Sequence, residues 1–408
     1  MNTEQLIKEC EIELKDYYEQ LEDIALFNQE KVLEAFRNNR VALNHFSSTS
    51  GYGYDDIGRQ TLCNLFKDIF VAEEAIVSPL FDSGTHTIAT ALFGALRPGD
   101  KILSISGVPY DTLLPVIKGE GNGSLKDFGV DFDSVALADG EFDYGAIEKK
   151  LSEPHTIIYI QRSRGYEYRN ALSMDSMQKV IALVKSKSSA PVFVDNCYGE
   201  FVEKVEPLQI GADVIMGSLI KNPGGGLAYT GGYIAGKKCL LDKIQSRYTA
   251  PGVGTEIGSY AAGYQNYYQG LFMAPHTVLQ AMKCSLLFGL AFDKLGYEVL
   301  PKTDVKAGDI VRSIKFANAD EVIAFCRAIQ KTSPVDSHVV PYPWDMPGYT
   351  DQVIMAAGTF VQGASIELSA DSPLREPYVV YLQGALTYEH AKLAVRNCIN
   401  DVMAVYSK

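Results

Sequence analysis

The chain has 408 residues, 37 Lys and Arg against 50 Asp and Glu, a formal net charge of −13 and 47 % hydrophobic residues. Such a length implies two or three domains with a deep core, and the even spread of apolar residues excludes general disorder. The acidic balance argues against a nucleic-acid partner, which needs a basic stripe, and against docking on anionic lipid.

The first residues, MNTEQLIKECEIELKD, carry acids where an export signal has a basic region and an apolar run. Leu6, Cys10, Leu14, Tyr17, Leu21 and Ile24 instead recur at steps of three and four, which predicts an N-terminal helix. A second helical stretch surrounds Val32, Leu33 and Phe36, and residues 46–60, FSSTSGYGYDDIGRQ, read as loop. From about residue 72 short apolar runs alternate with helical patterns. The runs at 75–78, 102–105, 157–160, 192–195 and 214–217 predict buried strands. Helices are expected at 85–96, 111–118, 144–152 and 175–187, with Arg97-Pro98-Gly99-Asp100 as a stop-and-turn signal. This alternation implies βαβ units and a mostly parallel sheet covered on both faces. A long helix over about 275–295 leads into shorter strands with Gly and Pro turns over 308–384, and a closing helix runs from 387 to 405. The expected division is therefore an N-terminal helical segment with a loop over 1–60, a large α/β domain over 61–290, and a smaller C-terminal α+β domain over 291–408.

No stretch reaches the roughly 20 apolar residues that span a bilayer. The seven cysteines, at 10, 63, 197, 239, 284, 326 and 398, contain no CxxC pair. They are expected as buried free thiols of a cytoplasmic protein, with no zinc site and no disulfide framework.

Four features lie at the ends of predicted strands, where open α/β sheets place their ligands. Ser83, Gly84 and Thr85 open a helix directly after a strand. A free first turn of amides, flanked by hydroxyls, suits a phosphate, although Ser-Gly-Thr is equally an ordinary helix cap. Asp195 closes the apolar run PVFVDN, so it is a buried carboxylate that needs a cationic partner, or else the cap of the next turn. Lys221, in DVIMGSLIKNPGGG, sits at the mouth of the sheet, where partial desolvation would weaken its preference for the charged form and let it act as an amine nucleophile, or else it is a surface lysine with a flexible loop behind it. Ser218 precedes it by three residues and can offer a hydroxyl to the same anion. Tyr110, in SGVPYDT, can lie flat on a planar ligand or simply pack. A phosphate cradle, a buried acid, an amine and an aromatic ring together match what pyridoxal 5'-phosphate requires.

The order SGT, RPGD, VPYDT, VDN and SLIK resembles the aspartate-aminotransferase fold type of pyridoxal-phosphate enzymes over most of the chain. Tyr52-Gly-Tyr54-Asp-Asp-Ile-Gly-Arg59 followed by Ala72-Glu-Glu-Ala resembles the cystathionine and methionine metabolism group. QRSRGYEYR (161–169) and KNPGGGLAYTGGY (221–233) are similar to the methionine γ-lyase-related family of aluminium-resistance proteins and cystathionine β-lyases. The resemblance implies that Lys221 is the Schiff-base lysine, that Asp195 partners the ring nitrogen, and that Tyr110 stacks on the ring, with His86 as a second candidate for the ring face. It implies that Ser83, Gly84, Thr85 and Ser218 hold the phosphate. Tyr54, or Tyr52, and Arg59 would be donated by the other subunit of a dimer or a dimer of dimers. The substrate carboxylate would meet Arg375, with Arg164 as competitor. The implied activity is elimination of a thiol from a sulfur amino acid. An aldolase or aminotransferase with the same Lys and Asp, and a cofactor-binding stress protein without catalysis, are the alternatives.

Overall fold

The computed structural model describes residues 2–346 and 349–407. Helix α1 (Thr3–Glu13) starts at Asn2, whose side chain accepts a hydrogen bond from the Glu4 amide. The apolar stripe does not run unbroken to Ile24. At Leu14 the backbone turns to φ −83, ψ −1, and a new helix, α2 (Lys15–Asn38), begins and absorbs the expected second stretch. The break lets one stripe serve two cores. Leu6, Ile7, Cys10 and Leu14 pack with the C-terminal third of the chain, while Val32 and Ala35 join the core beneath the main sheet.

The loop that follows gives way to a helix the periodicity did not indicate, α3 (Ile57–Phe70). Its start is fixed by Asp56, which accepts from the Arg59 amide at 2.9 Å and from the hydroxyls of Thr49 and Tyr264 at 2.5 and 2.6 Å. Leu62, Leu65, Phe66, Ile69 and Phe70 form its buried stripe.

Among the described residues, seven strands make the larger sheet: β1 (Glu74–Ser78), β2 (Lys101–Ser104), β3 (Asp131–Ser134), β4 (Ile157–Gln161), β5 (Val192–Asp195), β6 (Val214–Ser218) and β7 (Gly232–Gly236). Their order is β1-β7-β6-β5-β4-β2-β3. The β2–β3, β2–β4, β4–β5 and β5–β6 pairs are parallel, whereas β7 runs antiparallel to β1 and β6. Helices α4 (Gly84–Ala95), α5 (Leu114–Lys118), α6 (Tyr144–Lys150), α7 (Met174–Lys187) and α8 (Lys238–Tyr248) accompany the sheet. Alternate residues of the central strands face two separate apolar layers. Ile158, Ile160, Val192, Val194 and Ile215 belong to one, and Ile157, Tyr159, Phe193, Val214 and Met216 to the other. Both faces are thus covered, as a parallel sheet requires.

Helix α9 (Gln265–Lys294) begins ten residues before the expected start and carries Pro275 within it. Its first half, through Tyr267, Leu271, Val278 and Met282, closes the main core, and its second half, through Leu287, Phe288 and Phe292, enters the C-terminal core. That core lies under an antiparallel sheet in the order β10-β11-β12-β9-β8. Its strands are β8 (Glu298–Leu300), β9 (Arg312–Lys315), β10 (Val353–Ala356), β11 (Ser369–Pro373) and β12 (Val379–Gln383). Two helices pack with it, α10 (Ala319–Thr332), which lies where only strands were expected, and α11 (Tyr388–Met403). Among the described residues no helix is long and apolar enough to cross a membrane. All seven cysteines are free, with Cys239 exposed and Cys63 half-buried rather than fully enclosed.

Candidate active site

Because β2, β4, β5 and β6 run parallel, their C-terminal ends lie side by side, and the loops leaving them share one wall of a cavity of about 570 Å³. The opposite wall comes from β10, β11 and β12 and the segments between them.

At one end of the cavity Ser83 caps α4, accepting from the His86 amide at 3.1 Å. The first-turn amides of Gly84 and Thr85 follow, at the positive end of the helix dipole. A Cβ placed on Gly84 would sit in ordinary van der Waals contact, 3.5 Å from both Cys197 Sγ and Ser218 Cβ, and would fill the corner that glycine leaves free. Ser218 is 1 % exposed, yet its hydroxyl has no hydrogen-bond partner among the described residues. A buried hydroxyl left unpaired is costly, and one that faces a cavity marks where a ligand acceptor belongs. Thr85 Oγ1 lies 3.0 Å from the Tyr110 hydroxyl and 3.3 Å from Thr112 Oγ1. Tyr110 is itself fixed by its amide, which donates to Gln161 Oε1 at 2.9 Å.

Asp195, the last residue of β5, is 4 % exposed and accepts from the Cys197 amide at 3.1 Å. Burial pushes its pKa up, and the charge of Lys221 pulls it back. Lys221 follows β6, with Nζ 4.0 Å from the centroid of the Tyr198 ring. Burial works to lower the pKa of this amine, but Cys197, Tyr198, Asp195 and Tyr110 together hold it well above the ordinary lysine range. The expected loss of charge by desolvation is therefore reversed: surrounded by protein groups alone, Lys221 is a cation that balances Asp195. The glycine run behind it is a packing device. A Cβ on Gly224 would meet Leu219 O at 1.8 Å, and Gly225 has φ +55, with its Cβ position 2.3 Å from Gly270 O on α9.

At the mouth, Arg375 is about half exposed and donates to Asp351 Oδ2 at 2.6 Å. Arg164 also lines the cavity but is committed elsewhere. Its Nη1 donates to Leu300 O and Ser313 Oγ, and its Nη2 to Asp309 Oδ1 and Val311 O, at 3.0–3.3 Å. It ties the loop after β4 to the C-terminal sheet and is a poor candidate for gripping a ligand carboxylate. His86 is displaced as well. Its Nδ1 accepts from the Asp82 amide at 3.1 Å and its ring stands edge-on to Phe81, outside the cavity lining. Tyr52 and Tyr54 are exposed neighbours, with ring centroids 5.5 Å apart. Arg59 is buried and donates to the carbonyls of Gly53, Gly258 and Glu256. None of these three lines the chain's own cavity.

Several lining residues went unread in the sequence: Asp371, Tyr166, Tyr349, Tyr381 and Gln383. The signal for Asp371 was its place on a strand four residues before Arg375, with Ser369 on the same side of the pleat.

A family model described as methionine gamma-lyase matches residues 3–403. The chain is 48 % identical to the uncharacterized protein YnbB of Bacillus subtilis, over 97 % of this chain and 95 % of that protein. Among solved structures it is similar to a Listeria monocytogenes protein provisionally described as a cystathionine beta-lyase involved in aluminium resistance. That pair shares 48 % identity with a TM-score of 0.96, covering 98 % of this chain and 100 % of the other. It is also similar to a carbon-sulfur lyase involved in aluminium resistance from Clostridium novyi, at 46 % identity and TM-score 0.93, covering 97 % and 95 %.

Proposed function

The chain belongs to the methionine gamma-lyase family and is a pyridoxal 5'-phosphate-dependent carbon–sulfur lyase of the aspartate-aminotransferase fold, and on that premise we propose that it eliminates a thiol from a sulfur amino acid, leaving a keto acid and ammonia. The observation that carries the reading is the orphaned Ser218 hydroxyl sharing one cavity with the Lys221 amine and the buried Asp195.

The donor set fits the cofactor. Ser83, Gly84, Thr85 and Ser218 would hold its phosphate, Asp195 its ring nitrogen, and Lys221 its aldehyde carbon, with Tyr110 against the ring. The bound group supplies a sink for the electron pair left at the substrate Cα. The chain's own residues do the rest. Arg375 orients the substrate by its carboxylate, in competition with Asp351, which now occupies the guanidinium. Lys221 Nζ takes the Cα proton as general base. The carbon–sulfur bond breaks at Cβ, or at Cγ after a second proton has been moved from Cβ, with its electron pair going to sulfur, which leaves as the thiol once protonated, and water releases ammonia from the remaining enamine. Tyr54 is exposed and lies outside its own cavity, which supports a shared site in which a second copy of the chain supplies that group, whereas the Arg59 guanidinium is spent on the carbonyls of Gly53, Gly258 and Glu256.

Incubating the holoenzyme with L-cystathionine, L-methionine and L-threonine tests the reading. Thiol with pyruvate, or methanethiol with 2-oxobutyrate, is the expected outcome. Glycine from threonine, or no keto acid from any of the three, would overturn it.

A further inference from the structure

On the cavity wall facing Lys221, Asp371 of β11 stands among aromatic rings. Tyr166 lies 5.2 Å from Tyr381 and 5.6 Å from Tyr349, centroid to centroid, with all three rings on the cavity lining. The Tyr381 hydroxyl donates to Tyr166 O at 2.6 Å, which locks two of the rings together. Gln383 Nε2 donates to Asp371 Oδ2 at 3.1 Å and fixes the carboxyl group. Tilted electron-rich faces beside a carboxylate are the chemistry that recognises an organic cation. The same cavity already holds one cation that way, the Lys221 ammonium over Tyr198.

We propose that Asp371, with Tyr166, Tyr349 and Tyr381, forms a subsite for a cationic group at the far end of the substrate side chain, so that the enzyme prefers thioethers ending in an ammonium group to uncharged ones. The proposal rests on the lyase reading and names the substrate class of that same site.

Burial pushes the Asp371 carboxyl up to about 7, against the pull of Gln383, Tyr166 and Lys221. The titratable groups facing it are Tyr166, Tyr349 and Tyr381, Cys326 on α10, and Lys221. The phenols and the thiol are raised by burial and stay neutral near pH 7, so among these only Lys221 and Asp371 carry charge there. The subsite gains its negative charge as pH rises through about 7.

The test is calorimetric titration of the holoenzyme with L-lysine and with L-2-aminoheptanoate, which carries a methyl group where lysine carries its ammonium. Neither contains sulfur, so binding is read apart from elimination. At pH 8 lysine is expected to bind roughly tenfold to a hundredfold more tightly, as a charge-assisted hydrogen bond allows. The ratio should fall below pH 7. In Asp371→Asn it should approach one at every pH, with aminoheptanoate affinity unchanged as the sign of an intact fold. Equal affinities in the wild type, or a preference that survives in Asp371→Asn, would overturn the subsite. Elimination from S-(2-aminoethyl)-L-cysteine, assayed separately, distinguishes a failed subsite from a failed lyase reading.

Discussion

Glu200 is fully buried within electrostatic reach of Lys221, with Oε1 accepting from the Tyr233 hydroxyl at 2.8 Å and Oε2 without a partner among the described residues. Burial raises its pKa to about 8. The folded protein therefore keeps this proton over a range in which the unfolded chain has lost it, and stability falls as pH rises from about 4.5 to about 8. Glu200→Gln removes that loss. It should be more stable than the wild type at pH 7 by about 1–3 kcal/mol, with a flatter stability profile in denaturant titrations from pH 5 to 8. Parallel profiles would contradict the assignment. Ser218→Ala acts differently. The hydroxyl has no partner among the described residues, so removing it should leave thermal stability nearly unchanged while weakening cofactor binding about tenfold in a spectroscopic titration. At this scale the sequence was most legible where a polar residue closes an apolar run, as at Asp195, or follows one, as at Lys221. It was least legible for Asp371, whose strand mixes Ser, Asp and Pro with Ala and shows no apolar alternation. The roles of Arg164 and His86 turn on hydrogen bonds to residues distant in sequence or to the local backbone, and side-chain type alone carries no trace of them.

The elements that escaped the sequence reading share a cause. Strand β3 is the polar edge DFDS, and β7 is GYIAG, so neither offers the apolar run that marked its neighbours. Helix α3 opens inside a Gly- and Tyr-rich stretch, and its start depends on the contacts of Asp56 with Thr49 and Tyr264. Helix α9 shows how one element positions the site. Gly270 on it faces the loop behind Lys221, and a Cβ there would meet Gly224 O at 2.2 Å. Gly270→Ala should force the two backbones apart, lowering stability by about 1–3 kcal/mol and reducing cofactor content in the purified protein. Full cofactor occupancy with an unchanged melting temperature would show that the loop yields freely.

Across the whole molecule, the sheet class and the site's place at the parallel strand ends could be read from the alternation of short apolar runs and helices. The interleaving of the N-terminus with the C-terminal core could not, because it depends on a single turn at Leu14. Helix α9, which enters both cores, and the α1–α2 run, whose start packs with the C-terminal core and whose later part packs with the main core, tie the two together, so both walls of the cavity are held by continuous chain. Mixed subunits of Lys221→Ala and Tyr54→Phe, refolded together, should regain activity that neither variant has alone, and an active monomer in sedimentation would contradict the arrangement.

Lys221 as the covalent anchor of the cofactor is what the proposed chemistry depends on most. Borohydride reduction of the holoenzyme followed by peptide mapping tests it directly. A pyridoxyl group is expected on the lysine of the peptide SLIKNPGGG, and a label on any other lysine, or none, would rule Lys221 out as the anchor.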